Sequence, residues 1–213
     1  MSKIADIRKD YKLHSLDQKD VLEDPVSQFG VWFDEALKSQ IDEINAMTLA
    51  TVTTQGTPDA RIVLLKGFDE RGFTFYTNYN SKKGKELDEN KNACLVFFWK
   101  ELERQVRIYG TTEKISEEAS DLYFNSRPEG SKIGAWSSPQ SLPIFDRELI
   151  ENNTKKFQEE FKSGLIPRPS HWGGYIVKPT AIEFWQGRPN RLHDRILYSL
   201  QDNNSWKIER LAP

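Results

Sequence analysis

The feature that most constrains this chain is a change of period after its first helical stretch. Met47–Thr54 and Ala60–Phe68 are runs rich in β-branched and apolar residues, separated only by Gln55-Gly56-Thr57-Pro58. A short Gly/Pro-containing break between two such runs reads as a hairpin turn. Asp69-Glu70-Arg71-Gly72 is a second turn and leads into Phe73–Thr77. Cys94–Trp99 and Gln105–Lys114 read as two further strands. Gly174–Val177, Ala181–Trp185, Arg195–Leu200 and Trp206–Arg210 form a final β section. Tight turns between successive strands dictate antiparallel pairing, because a parallel pair needs a long crossover. Many short strands in one domain favour a barrel or sandwich with helices outside or between. The expected class is therefore mainly β with flanking helices (α+β), an antiparallel barrel or sandwich.

Helical segments are fewer. Asp24-Pro25 supplies an N-cap followed by proline at the first helical position, and Val26, Phe29, Phe33, Ala36 and Leu37 follow with helical spacing. Lys82–Glu89 and the stretches 116–125 and 146–162 are the other expected helices. Residues 1–23 are polar and read as an arm. Residues 24–213 fit one domain with a substantial core.

Charge narrows the partners. Basic and acidic residues number 30 and 32, which leaves no global attraction to nucleic acid or to a membrane surface. Any anion site must be local. No stretch approaches the ~18 apolar residues of a membrane span. The first ten residues are too charged for a signal peptide, so a cytoplasmic protein is expected. Cys94, the single cysteine, sits in an apolar run and reads as a structural thiol. His14, His171 and His193 show no metal-ligand spacing, and no zinc or iron site is expected. There is no Gly-x-Gly-x-x-Gly, no P-loop and no Gly-x-Ser-x-Gly elbow.

Three constellations could carry chemistry. In an extended Arg191-Leu192-His193-Asp194-Arg195, Arg191, His193 and Arg195 point to one face and Asp194 to the other. Two guanidiniums and an imidazole side by side make sense around an anion or an electron-rich ring. They equally suit a solvated, charged edge strand. Tyr123, Arg127 and Ser131 are spaced to share a helix face, but Pro128 argues for a helix end and a restart, with a helix N-terminus near Ser131. The trio is either a phosphate-monoester cup or three polar side chains that simply face solvent. Arg61, Lys66, Lys82 and Lys83 form a basic set. Arg61 and Lys66 lie five residues apart, so they serve one ligand only if their strand bends or the ligand wraps its edge. The alternative is a charged helix face around Lys82 and Lys83.

Taken together, the segments resemble the pyridoxamine/pyridoxine 5'-phosphate oxidase family. The carriers are Arg61–Lys66, Phe75–Asn78, Ser81–Gly84, Glu103–Val106, Tyr123–Pro128, Ile133–Trp136, Gln140-Ser141, Trp172–Gly174, Phe184–Gly187, Arg191–Arg195 and Glu209–Pro213, all in family order. The resemblance implies an FMN-binding split β-barrel working as a homodimer with FMN at the subunit interface. It implies oxidation of pyridoxine or pyridoxamine 5'-phosphate to pyridoxal 5'-phosphate, with O2 reduced to H2O2. By motif, Arg61, Ile62, Val63, Leu64, Leu65, Lys66, Tyr76, Thr77, Lys82, Lys83, Gln105, Gln140, Ser141, Trp185 and Arg195 are the expected FMN contacts. Lys66, Tyr123, Arg127 and Ser131 are expected to hold the substrate phosphate. Arg191 and His193 are the expected catalytic pair over the pyridine ring, and Arg8 and Tyr11 of the arm are expected to close over the substrate. The chain departs from the pattern at Lys82, where the family usually has arginine, at Asn125, and at Leu13-His14-Ser15. A non-catalytic FMN or pyridoxal phosphate binder on the same barrel, another flavin reductase of this fold, and a structural barrel module are the alternatives.

Overall fold

The structure is a computed structural model that describes residues 3–7 and 9–213. Helix α1 (Pro25–Lys38) starts where expected: the Asp24 carboxylate accepts the Ser27 N–H at 2.7 Å, and Pro25 occupies the first turn. The strands follow as β1 (Ala46–Val52), β2 (Pro58–Leu64), β3 (Gly67–Asp69) and β4 (Gly72–Asn78). Next come α2 (Lys82–Glu89), β5 (Asn92–Trp99) and β6 (Arg104–Lys114). Three helices, α3 (Glu117–Ser126), α4 (Glu129–Ser137) and α5 (Glu148–Glu160), precede β7 (Trp172–Gln186), β8 (Asp194–Leu200) and β9 (Trp206–Leu211).

All pairings are antiparallel, in the order β2-β1-β5-β6-β7-β4-β3, with β8 and β9 branching from β7. One edge of β7 pairs with β6 along its length. Its other edge is shared: Trp172–Val177 pairs with β4, and Ala181–Gln186 pairs with β8. The sheet therefore curls and splits at β7. Beyond β2, the Lys66 N–H donates to the Thr74 carbonyl at 2.8 Å, which brings the two ends of the curl together.

The sequence reading of two separate strands, Gly174–Val177 and Ala181–Trp185, is corrected here to one continuous strand. Pro179 has no N–H and would ordinarily interrupt a central strand. It is tolerated because the register slips beside it: Tyr109 pairs with Ala181, but Gly110 pairs with Pro179. Thr180 is the extra residue of a bulge.

Aromatic rings fill the main core. Phe29 of α1 is wholly buried, with Phe68 and Phe73 each centred 5.0 Å away and Phe97 at 5.1 Å. A smaller cluster of Phe124, Ile133, Ile166 and Trp172 lies under α3 and α4. Among the described residues, no helix is long and apolar enough to cross a membrane.

Candidate active site

Cross-strand partners share a face of a sheet. The registers Phe98↔Gln105, Gln105↔Trp185 and Trp185↔Arg195 therefore put Gln105, Trp185 and Arg195 on one face with Phe98. Thr48 pairs with both Ile62 and Val96, which adds Ile62 and, two residues on, Leu64. After the β7 bulge the same face carries Tyr76, paired with Gly174. This is the outer face, since the alternate residues Phe97, Val106, Phe184 and Phe75 are all in the core. Leu65, only 4% exposed, turns into that core, and its N–H and carbonyl are both engaged by Asn45.

Two clefts gather expected site residues. The first, about 460 Å³, is lined by Ile62, Val63, Leu64, Lys66, Tyr76, Thr77, Lys83, Tyr123, Arg127, Ser131 and Gln140, with Asn78, Pro128 and Trp172. Its wall is a stack of near-parallel rings: Tyr76 and Tyr123 lie 3.9 Å apart, and Tyr76 and Trp172 5.5 Å. Burial, then the neighbouring tyrosine, raises the Tyr76 pKa. Arg127 ends α3 in an extended conformation, as a residue before proline should. Its guanidinium rests 4.5 Å over the Trp172 ring, and its buried Nη1 has no hydrogen-bond partner. Burial pulls its pKa down. Pro128 breaks the helix, but Ser131 sits in the first turn of α4, and all three members of the expected cup still line one cleft.

The basic set is sorted by its carboxylates. Arg61 donates to Asp59 at 2.8 Å and Glu86 at 3.0 Å, and also to Thr51 and the Leu49 carbonyl. Lys82 also pairs with Asp59 at 2.8 Å. Lys83 instead donates to Thr77 Oγ1 at 3.2 Å and Gln140 Oε1 at 3.1 Å. Burial first, then Arg61, lowers its pKa. Among the described residues no carboxylate pairs with Lys66, Lys83 or Arg127, although all three line the first cleft. Uncompensated cations around a cleft fit an anion. The question about Arg61 and Lys66 also resolves: β2 stops at Leu64, so Lys66 lies past the strand and reaches the cleft while Arg61 turns to its carboxylates. Ser141, beside Gln140, takes a left-handed backbone with φ 70°.

The second cleft, about 530 Å³, is lined by Arg191, His193, Arg188 and Asn190 together with Ile7, Lys9, Asp10 and Tyr11. Trp185 lies 4.6 Å from His193 and 5.8 Å from Tyr11. Arg8 lies outside the described residues. The expectation of one extended strip is corrected: β8 begins only at Asp194, and Asn190 and Arg191 both have positive φ, 56° and 62°. Arg191 is thus an exposed residue of the connection between β7 and β8, not of the strand. His193 Nδ1 accepts the Arg188 backbone N–H at 3.1 Å, so the neutral ring carries its proton on Nε2. Burial, followed by Arg191, lowers the His193 pKa. Asp194 accepts the Leu16 N–H and pairs with Arg210, work that takes it away from His193. Arg195 is held by Glu183, at 2.8 and 3.1 Å, and by the Ala212 carbonyl. Burial would raise the Glu183 pKa, but hydrogen bonds from Arg195 and Arg107 bring it below the usual range.

The two clefts lie at opposite ends of β7. Trp172 in the first cleft starts β7, and Trp185 beside His193 of the second lies near its other end, past the bulge. Sequence reasoning assigned no role to Trp172; two residues on, a Cβ at Gly174 would meet the Ile115 side chain first and then the Tyr76 ring. It also missed Arg188, whose only sequence signal was its position beside the Trp185-Gln186-Gly187 stretch.

The family model for pyridoxamine 5'-phosphate oxidase matches residues 33–160, and one for the pyridoxine 5'-phosphate oxidase C-terminal dimerisation region matches 172–213. The chain belongs to the pyridoxamine 5'-phosphate oxidase family. A pyridoxine/pyridoxamine 5'-phosphate oxidase of Nostoc punctiforme is 59% identical over 99% of this chain and 98% of its own length. One from Salinibacter ruber is 56% identical over the whole of both. Among solved structures, PhzG from Burkholderia lata, in complex with tetrahydrophenazine-1-carboxylic acid, superposes with TM-score 0.88 at 29% identity. It covers 94% of this chain and 99% of its own. A pyridoxamine 5'-phosphate oxidase-related, FMN-binding protein of Nostoc punctiforme shares the fold at TM-score 0.71 and 19% identity, covering 89% and 98% of the two chains. The expected split barrel is thus the fold of this oxidase family.

Proposed function

We propose that this chain is an FMN-dependent oxidase that converts pyridoxamine and pyridoxine 5'-phosphates to pyridoxal 5'-phosphate, reducing O2 to H2O2, as a cytoplasmic homodimer. One observation carries the geometry: many of the expected site residues line two separate clefts, at opposite ends of β7. A second copy joins them, the first cleft of one protomer meeting the second cleft of its partner, with FMN between. The C-terminal dimerisation region contains Trp185, Arg191, His193 and Arg195, which supports this arrangement. So do Ile62 and Phe98, apolar yet 65% and 53% exposed on the same outer face.

FMN suits the residues present: Lys66 and Lys83, which have no carboxylate partner among the described residues, offer charge to a phosphate, and the Trp185 ring offers a flat apolar contact. When bound, FMN supplies the two-electron acceptor and the route to dioxygen. The chain's own residues bind and orient. Arg127, Tyr123, Ser131 and Lys66 hold the substrate phosphate. Arg191 and His193 cover the pyridine ring, and His193 Nε2–H donates a hydrogen bond, because Nδ1 is occupied by Arg188. Arg61, Lys82 and Arg195, tied to carboxylates, shape the FMN site around the freer cations. Residues 1–23 act as an arm on a single domain of residues 24–213, with Arg8 and Tyr11 closing over the substrate.

The test is a visible spectrum of the purified protein followed by peroxide release with each 5'-phosphate. A flavin spectrum with substrate-dependent peroxide is expected. Bound flavin with no peroxide from either substrate would overturn the oxidase reading in favour of a binding protein.

A further inference from the structure

We propose that Glu103 and Gly187 form a docking seat for the N-terminal segment, and that Glu103 is a positioning residue acting on the Arg191–His193 half-site through Tyr11. The kinetic part rests on the oxidase reading above; the seat itself does not.

Glu103 stands in left-handed backbone, φ 55°, after the short turn Lys100–Leu102, and it is 3% exposed. A buried carboxylate must be satisfied by donors. Its Oε2 accepts two consecutive backbone N–H groups of the arm, Lys12 at 2.8 Å and Leu13 at 3.1 Å. Its Oε1 faces Lys9 Nζ at 3.7 Å. These partners come from some 90 residues away in sequence, so this carboxylate serves the arm rather than its own turn.

Gly187 completes the seat. Arg104 pairs with Gln186, so Glu103 and Gly187 flank the same sheet end, and the Gly187 N–H donates to the Glu103 carbonyl at 2.7 Å. A Cβ on Gly187 would stand 2.7–2.8 Å from Cβ, Cγ and Cδ2 of Tyr11, its three nearest neighbours. The absent side chain is the space that Tyr11 occupies, edge-on to Trp185 and 6.0 Å from His193. Further along, separate contacts hold the chain: Arg188 to the His14 carbonyl, and Asp194 and Arg210 to the backbone of Leu16. Glu103 therefore governs residues 9–13, the stretch that walls the second cleft.

The experiment uses three full-length variants, Glu103→Ala, Glu103→Gln and Gly187→Ala. Gly187→Ala leaves Glu103 intact, so it carries the test if Glu103→Ala folds poorly. Tryptic cleavage after Lys9 and Lys12 is expected to quicken about 100-fold in Glu103→Ala, the scale of losing two charge-assisted hydrogen bonds, and at least about tenfold in Gly187→Ala, where their geometry is disturbed. Glu103→Gln, whose amide oxygen still accepts, should recover much of the protection. Cleavage after Lys19, beyond the Leu16 contacts, should not change. Unaltered cleavage at Lys9 and Lys12 in both Glu103→Ala and Gly187→Ala overturns the seat. In kinetics, Glu103→Ala should raise KM for pyridoxine 5'-phosphate about tenfold with a smaller effect on kcat. In a Tyr11→Ala background it should add little. A full second penalty there refutes action through Tyr11. If no variant, and not the parent chain, oxidises the substrate, the oxidase reading fails while the proteolysis result still decides the seat.

Discussion

Arg127→Met separates a binding cation from a structural one. The native guanidinium is half-buried, and among the described residues it has no carboxylate partner and no hydrogen-bond partner for Nη1. Its stacking 4.5 Å over Trp172 is worth about 0.5–2 kcal/mol. Against this stands the desolvation of an unpaired polar atom, about 1–3 kcal/mol. Methionine keeps the length and apolar contact while removing both contributions. Net folding stability should change by no more than about 1 kcal/mol, or ~2–4 °C in Tm for a chain this long. Binding is different. Two charge-assisted hydrogen bonds to a phosphate, at about 1.5 kcal/mol or more each, amount to roughly 3 kcal/mol, near 100-fold in KM. Thermal melts and initial rates with pyridoxine 5'-phosphate over a range of concentrations measure both. A Tm lower by about 10 °C with KM unchanged would refute the reasoning and make Arg127 a packing residue.

Other outcomes follow from the same structure. His193 should titrate below its usual 6.5 in an NMR pH series. Arg191→Met should raise the midpoint only part of the way, because burial is the larger cause. The sign for stability is fixed: above about pH 6.5 His193 contributes nothing, and on acidification the unfolded chain takes the proton first, so stability falls. Lys83→Met should weaken FMN retention about tenfold or more, while Lys82→Met does so less, since Lys82 is already engaged by Asp59; equal losses by flavin-release titration would contradict this. Gly72→Ala should cost about 3 kcal/mol or more in urea melts, because φ is 139° and a Cβ would overlap the Val177 carbonyl of β7.

What the sequence alone determined was local. The hairpin turns, the Asp24-Pro25 helix start and the Ser81-capped helix Lys82–Glu89 were legible because each is set by neighbouring residues. The outer-face residues were nameable through ordered family motifs. Their division was not. Only the folded sheet shows that, among the described residues, Lys66, Lys83 and Arg127 have no carboxylate partner while Arg61 and Lys82 share Asp59 and Glu86 reaches Arg61 from 25 residues away. Pro179 hid the continuity of β7, because its tolerance depends on the register of β6 across from it. Asp194 was set aside for strand geometry that the segment lacks; the Leu16 N–H and Arg210, 178 and 16 residues distant, are what engage it. Charge balance and partner distance are long-range properties, and the long β7 that spaces the two clefts exists only once the sheet has paired.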